Sequence, residues 1–126
     1  MRLYHVTFAT KLRQPFLQGD VRDAVLESFT QIAREIGVQL LAAEAFLDHA
    51  HLLLGLTDDQ KLSIVMQRLK GRAPRDIFLR FHDLRDEGSS APFWQEGYGT
   101  RHIFPEQAET VRRYIQNQQS HHGDAT

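Results

Sequence analysis

Between Phe46 and Leu56 the chain reads FLDHAHLLLGL, an apolar stretch of strand length broken only by Asp48, His49 and His51. A run this rich in leucine has to be buried on at least one side. Successive side chains of an extended strand point to opposite faces, so His49 and His51 emerge together on one face while Ala50 turns to the other. The segment therefore calls for a sheet with one face on a core and the other carrying two imidazoles.

The flanking segments supply that sheet. Arg2 to Thr10, RLYHVTFAT, alternates Leu3, His5, Thr7 and Ala9 with Tyr4, Val6 and Phe8, the period of a first strand. Asp20 to Ile36 places Val25, Phe29, Ile32, Ala33 and Ile36 at helical spacing, with Asp20 available as N-cap and Gly37 as the stop. Val38 to Leu47 is a second extended run. It lies too close to the third, His49 to Leu56, for a crossover helix, so the two pair antiparallel with Asp48 near the corner.

From Thr57 a second helix is expected, capped by Thr57 or Asp58 and burying Leu62, Val65, Met66 and Leu69, until Gly71 and Pro74 interrupt it. APRDIFLRFHDLR then reads as a further short helix, and PFWQEGYGTRHIF as a last strand or hairpin. Pro105 opens a polar helix, PEQAETVRRYIQNQQSHH, with acidic residues near its start. This order predicts a single α+β domain over residues 1–126: a ferredoxin-like, split β-α-β antiparallel sheet backed by helices, with an added C-terminal helix.

Composition narrows the partners. No cysteine is present, so any metal must sit on histidine, carboxylate, amide or water. The N-terminus lacks the apolar core of a signal peptide, and no run approaches the roughly 20 residues of a membrane span, so a soluble, cytoplasmic protein is expected. The net charge of -1 hides a segregation. Phe16 to Gln60 holds eight acidic residues against two arginines, whereas Lys61 to Arg85 holds seven basic residues against Asp76 and Asp83. A local basic surface is available for phosphate.

Taken alone, two histidines one residue apart on a sheet are most often a hydrogen-bonded surface pair. Two imidazoles are also only two ligands, so a metal needs a third. In the last helix Tyr114, Gln118 and His121 lie at i, i+4 and i+7 and share one face. A phenol, an amide and two histidines gathered around a divalent ion make a phosphoryl-transfer site.

With these motifs in this order, the chain resembles the single-tyrosine HUH transposases of small insertion sequences and their REP-associated relatives. The resemblance rests on YHVTFAT, DHAHLLLGL, SIVMQRLKGR, FWQEGYGT and YIQNQQSHH, and spans nearly the whole chain. It implies that Tyr114 is the nucleophile, attacking the DNA backbone to form a 5′-phosphotyrosine and release a 3′ hydroxyl. It implies that His49, His51 and Gln118 hold Mg2+ or Mn2+. It also implies a partner, single-stranded DNA with hairpin ends, and a homodimer in which the tyrosine helices are exchanged between sites. REP-associated relatives resemble monomers instead, and GYGT as a linker would let the helix dock in cis or swap in trans; His121 and His122 match a frequent family ending without an assigned role.

Arg68, Lys70, Arg72 and Arg75 are the candidates for phosphate contacts, and Trp94 and Tyr98 for stacking on unpaired bases, although strand aromatics are at least as often core. Leu47 stands where the family often has proline, and Ala50 is smaller than the usual middle residue. Two other classes fit part of the pattern: a non-catalytic single-stranded nucleic-acid-binding module using the arginines and aromatics, and a metal-dependent phosphodiesterase that activates water at the two histidines.

Overall fold

The computed structural model describes residues 1–84 and 93–117. Four strands, β1 (Arg2–Ala9), β2 (Gln39–Phe46), β3 (His49–Leu56) and β4 (Gly99–Ile103), form one sheet in the order β2-β3-β1-β4 with antiparallel neighbours. Helices α1 (Gly19–Ile36) and α2 (Leu62–Arg80) follow β1 and β3, and α3 (Ala108–Gln116) follows β4. This is the expected α+β, ferredoxin-like arrangement with its added C-terminal helix. Among the described residues no helix is long and apolar enough to cross a membrane.

The two faces of the sheet are used unequally. Val6, Phe8, Ala50, Leu52, Leu54 and Leu56 join Val25, Phe29 and Ile32 of α1 and Val65, Met66, Leu69 and Ile77 of α2 in the main core. On the opposite face, among the described residues, Leu3, Ala42, Leu53 and Ile103 form a smaller cluster with Val111 and Ile115 of α3. Fully burying such a side chain is worth about 1.5–3 kcal/mol. With just two buried residues, α3 is the most lightly anchored of the three helices.

Several boundaries differ from the sequence expectation. Asp20 lies inside the first turn of α1, whose N-cap is Gln18, so it contributes through the helix dipole and not as a cap. Gly37 ends that helix as expected, at φ 73°. Neither Thr57 nor Asp58 caps α2, whose N-cap is Lys61. Instead the Gln60 side chain accepts from the Thr57 N–H at 2.9 Å, closing a turn before the helix.

The larger correction is that α2 runs unbroken through Gly71 and Pro74. Pro74 removes one intrahelical hydrogen bond, which should interrupt an isolated helix. Here Met66, Leu69, Ala73 and Ile77 form one continuous buried stripe across the proline, and that packing outweighs the lost bond. No hairpin forms after Phe93 either. Trp94 makes an isolated bridge to Thr10 just beyond β1, and β4 pairs with β1 from Gly99 on, so the last-strand alternative holds. GYGT is not a linker to α3, because Gly99 and Thr100 are already in β4. A Cβ on Gly99 would come within 2.9 Å of Thr7 Oγ1, so the glycine permits the close approach of β4 to β1.

Candidate active site

The two-residue turn Leu47-Asp48 separates β2 from β3, with Phe46 paired to His49 across it. Leu47 takes φ 55°, a left-handed conformation unusual for a branched residue, and its backbone exchanges hydrogen bonds with Leu17 at 2.8 and 2.9 Å. The turn is thus held from outside the hairpin. It sets Asp48 Oδ1 at 3.0 Å from His49 Nδ1. Leu12 and Arg13, also left-handed at φ 59° and 56°, bring the Arg13 guanidinium to 3.8 Å from the other Asp48 oxygen.

Across the sheet His51 lies opposite Thr7, and His49 opposite Ala9. His49 and His51 share the face that the alternation predicted, their ring centroids 5.1 Å apart, while Ala50 is fully buried in the main core. His5, on the neighbouring strand, completes a row. Its Nε2 is 3.1 Å from His51 Nδ1. Burial, and secondarily the Arg101 cation on β4, hold His5 below the usual histidine range.

Helix α3 brings Tyr114 to the same place. Val111 and Ile115 anchor the helix on the small cluster, and Tyr114, beside Ile115, remains 54% exposed. Its ring centroid is 6.3 Å from that of His5 and 6.3 Å from that of His51. Two grooves flank the row. One, of about 530 Å³, runs between His5, Arg101 and Tyr114, and the other, of about 510 Å³, lies beside His49 and His51 under Arg13 and Tyr98. An exposed phenol, paired imidazoles and two guanidiniums suit a phosphodiester substrate better than a neutral one.

The donor set fits a divalent ion incompletely within the described residues. Each imidazole has Nδ1 engaged, by Asp48 or by His5, so each holds the ion through Nε2 if it holds one. Among the described residues no cluster of three or more His, Cys, Asp or Glu is present. The nearby carboxylates are committed elsewhere: Asp48 to His49 and Glu44 to Arg22. The expected third ligand, Gln118, lies outside the described residues, as do His121 and His122. A neutral amide with phosphate oxygens would complete such a site without further negative charge.

The basic residues expected to meet DNA divide. Lys70 and Arg75 line a separate cavity of about 1070 Å³ between α2 and the segment Phe93 to Tyr98. Lys70 Nζ donates to the Gln95 and Gly97 carbonyls at 3.0 and 2.6 Å, holding that segment against the helix. Arg72 points elsewhere, paired with Glu35 of α1. Arg68 is exposed on α2. Trp94 is only 5% exposed and packs on Phe8, Phe29 and Phe93. It is a core residue, and a base cannot stack on it without opening the core. Tyr98, 37% exposed, stays available.

Sequence reading alone did not single out His5, Arg13 or Arg101. The alternation of β1 placed His5 on the right face, but only the pairing of β1 with β3 puts it against His51. Arg13 and Arg101 carried no signal, since neither lies within the motifs that singled out the other site residues.

Known proteins share both the sequence and this architecture. Residues 2–118 match the family model described as "Transposase IS200 like". The chain is 30% identical over 115 residues to the transposase for insertion sequence element IS200 of Salmonella typhimurium, covering 91% of this chain and 75% of that one. It is 27% identical over 115 residues to the ISDra2 transposase TnpA of Deinococcus radiodurans, covering 91% and 82%. A crystal structure of a Deinococcus radiodurans transposase superimposes with TM-score 0.76 at 29% identity, covering 94% and 92%. A REP-associated tyrosine transposase bound to a REP hairpin shares the fold, with TM-score 0.70 at 15% identity over 97% and 68%. With a family match over nearly its full length, this chain belongs to the IS200-like transposase family.

Proposed function

We propose that this transposase cleaves and rejoins single-stranded DNA at element ends, with Tyr114 as the nucleophile. The observation that carries the reading is the exposed Tyr114 ring set over His5 and His51. Tyr114 Oη loses its proton and bonds to phosphorus as the bond to the 3′ oxygen breaks. The departing oxygen takes up a proton and leaves as a 3′ hydroxyl. The 5′ phosphate stays on the tyrosine, so the phosphodiester bond energy is kept for rejoining.

Arg13 and Arg101, which line the grooves at the two ends of the histidine row, would hold the phosphates on either side of the scissile one. His49 and His51, with Gln118 by resemblance, would hold Mg2+ or Mn2+. An ion held there would supply Lewis-acid polarisation of the phosphate. Lys70 and Arg75, with exposed Arg68, supply phosphate contacts away from the cleavage site. The REP-associated tyrosine transposase of the same fold is bound to a REP hairpin, which supports hairpin ends as the ligand here. The thin anchorage of α3 supports a homodimer that exchanges this helix, because a second copy would offer the same apolar seat.

The test is incubation with labelled single-stranded oligonucleotides covering the element ends and Mn2+ or Mg2+, resolved on a denaturing protein gel. A metal-dependent covalent band that Tyr114→Phe removes is expected. Cleavage without the band would make the protein a phosphodiesterase that uses water. Binding without cleavage would make it a purely binding descendant.

A further inference from the structure

Every imidazole in the row has a proton to place, and the placement decides which nitrogen can bind a metal. A neutral imidazole carries its proton on one nitrogen and a lone pair on the other. For His49 the matter is fixed by Asp48, since a carboxylate only accepts. His49 Nδ1–H donates to Oδ1 at 3.0 Å, which leaves the lone pair on Nε2.

His51 is held differently at the equivalent nitrogen. Its Nδ1 meets the Nε2 of His5 at 3.1 Å, where only one proton fits between the two rings. If His5 donates, His51 is left with its proton on Nε2 and offers nothing to a metal there. If His51 donates, its Nε2 is bare and matches that of His49. Of the two directions only the second lets both histidines act as a pair.

We propose that His5 is a positioning residue, which accepts a hydrogen bond from His51 Nδ1–H and so fixes His51 in the tautomer whose Nε2 can bind a divalent ion. This rests on the reading of His49 and His51 as metal ligands. An acceptor at this position must be uncharged and must carry its own proton on Nδ1. His5 thus does for His51 what Asp48 does for His49, without adding a second negative charge where phosphate has to approach.

The direction of the bond can be read directly. Long-range proton–nitrogen correlation spectra of the metal-free, 15N-labelled protein at mildly alkaline pH should show His51 protonated at Nδ1 and bare at Nε2. A His51 protonated at Nε2 overturns the proposal. His5→Leu fills the half-buried space but removes the acceptor, whereas His5→Gln keeps an acceptor oxygen near the position of Nε2. Mn2+ titration followed by electron paramagnetic resonance should show His5→Leu binding about 10–100-fold more weakly, with His5→Gln close to the parent protein. Equal Mn2+ affinity in folded His5→Leu overturns the proposal, as does a His5→Gln variant as weak as His5→Leu. Failure of the parent protein to bind Mn2+ would overturn the metal-ligand reading itself, whereas intact binding with His51 in the other tautomer would overturn only the role of His5.

Discussion

The Tyr114 ring lies 6.3 Å from the rings of both His5 and His51 within a single chain. Tyr114 is largely exposed, and Ile115 beside it is fully buried. Tyr114→Phe should therefore leave thermal unfolding unchanged and lower cleavage by more than about 10³-fold, the scale seen when a nucleophile is deleted. Circular dichroism and the oligonucleotide assay check the two halves separately.

If α3 is exchanged between copies, two dead proteins should rescue each other. A mixture of His49→Ala and Tyr114→Phe subunits should then recover part of the cleavage that each lacks, because one subunit still has its tyrosine and the other its histidines. Absence of any recovery after co-refolding would show that each chain completes its own site.

Ile115 is fully buried in the small cluster beneath α3. Ile115→Ala should cost about 2–5 kcal/mol, as large-to-small core changes do. The loss should fall first on α3: amide exchange should accelerate there before it does in α1 or β3. Cleavage should drop with it, since that docking helps to position Tyr114.

The division among the basic residues can be tested by salt. Arg75→Ala should weaken single-stranded DNA binding and flatten the dependence of log K on log salt by about 0.7, the value for one phosphate contact. Arg72→Ala should change neither, because that guanidinium is already paired with Glu35. Equal effects from the two would remove the distinction.

The same ion pair sets a weak acid dependence. Its hydrogen bond to Arg72, and then the Arg72 charge, hold the Glu35 carboxyl below the usual glutamate range. A carboxyl with a lowered folded-state pKa stabilises above its ordinary pKa, and that contribution disappears as pH falls through the lowered value. Urea midpoints of Glu35→Gln should sit slightly below the parent's at neutral pH and converge with it in acid. The margin should be small because both side chains are solvent-exposed.

Residue order alone determined the strands, the sheet class, the shared face of His49 and His51, and the family. These follow from periodicities of two and 3.6, and from motifs local in sequence. Tertiary packing decided what local rules could not. Pro74 stays inside α2 because a buried stripe passes over it, and Trp94 belongs to the core because Phe8, Phe29 and Phe93 surround it. Arg72 is withdrawn from phosphate by a glutamate on another helix. His5 joins His51 only through the register of β1 against β3, a pairing across 46 residues of sequence. A strand's pattern says which way a side chain points, and only the neighbouring strand says what it meets.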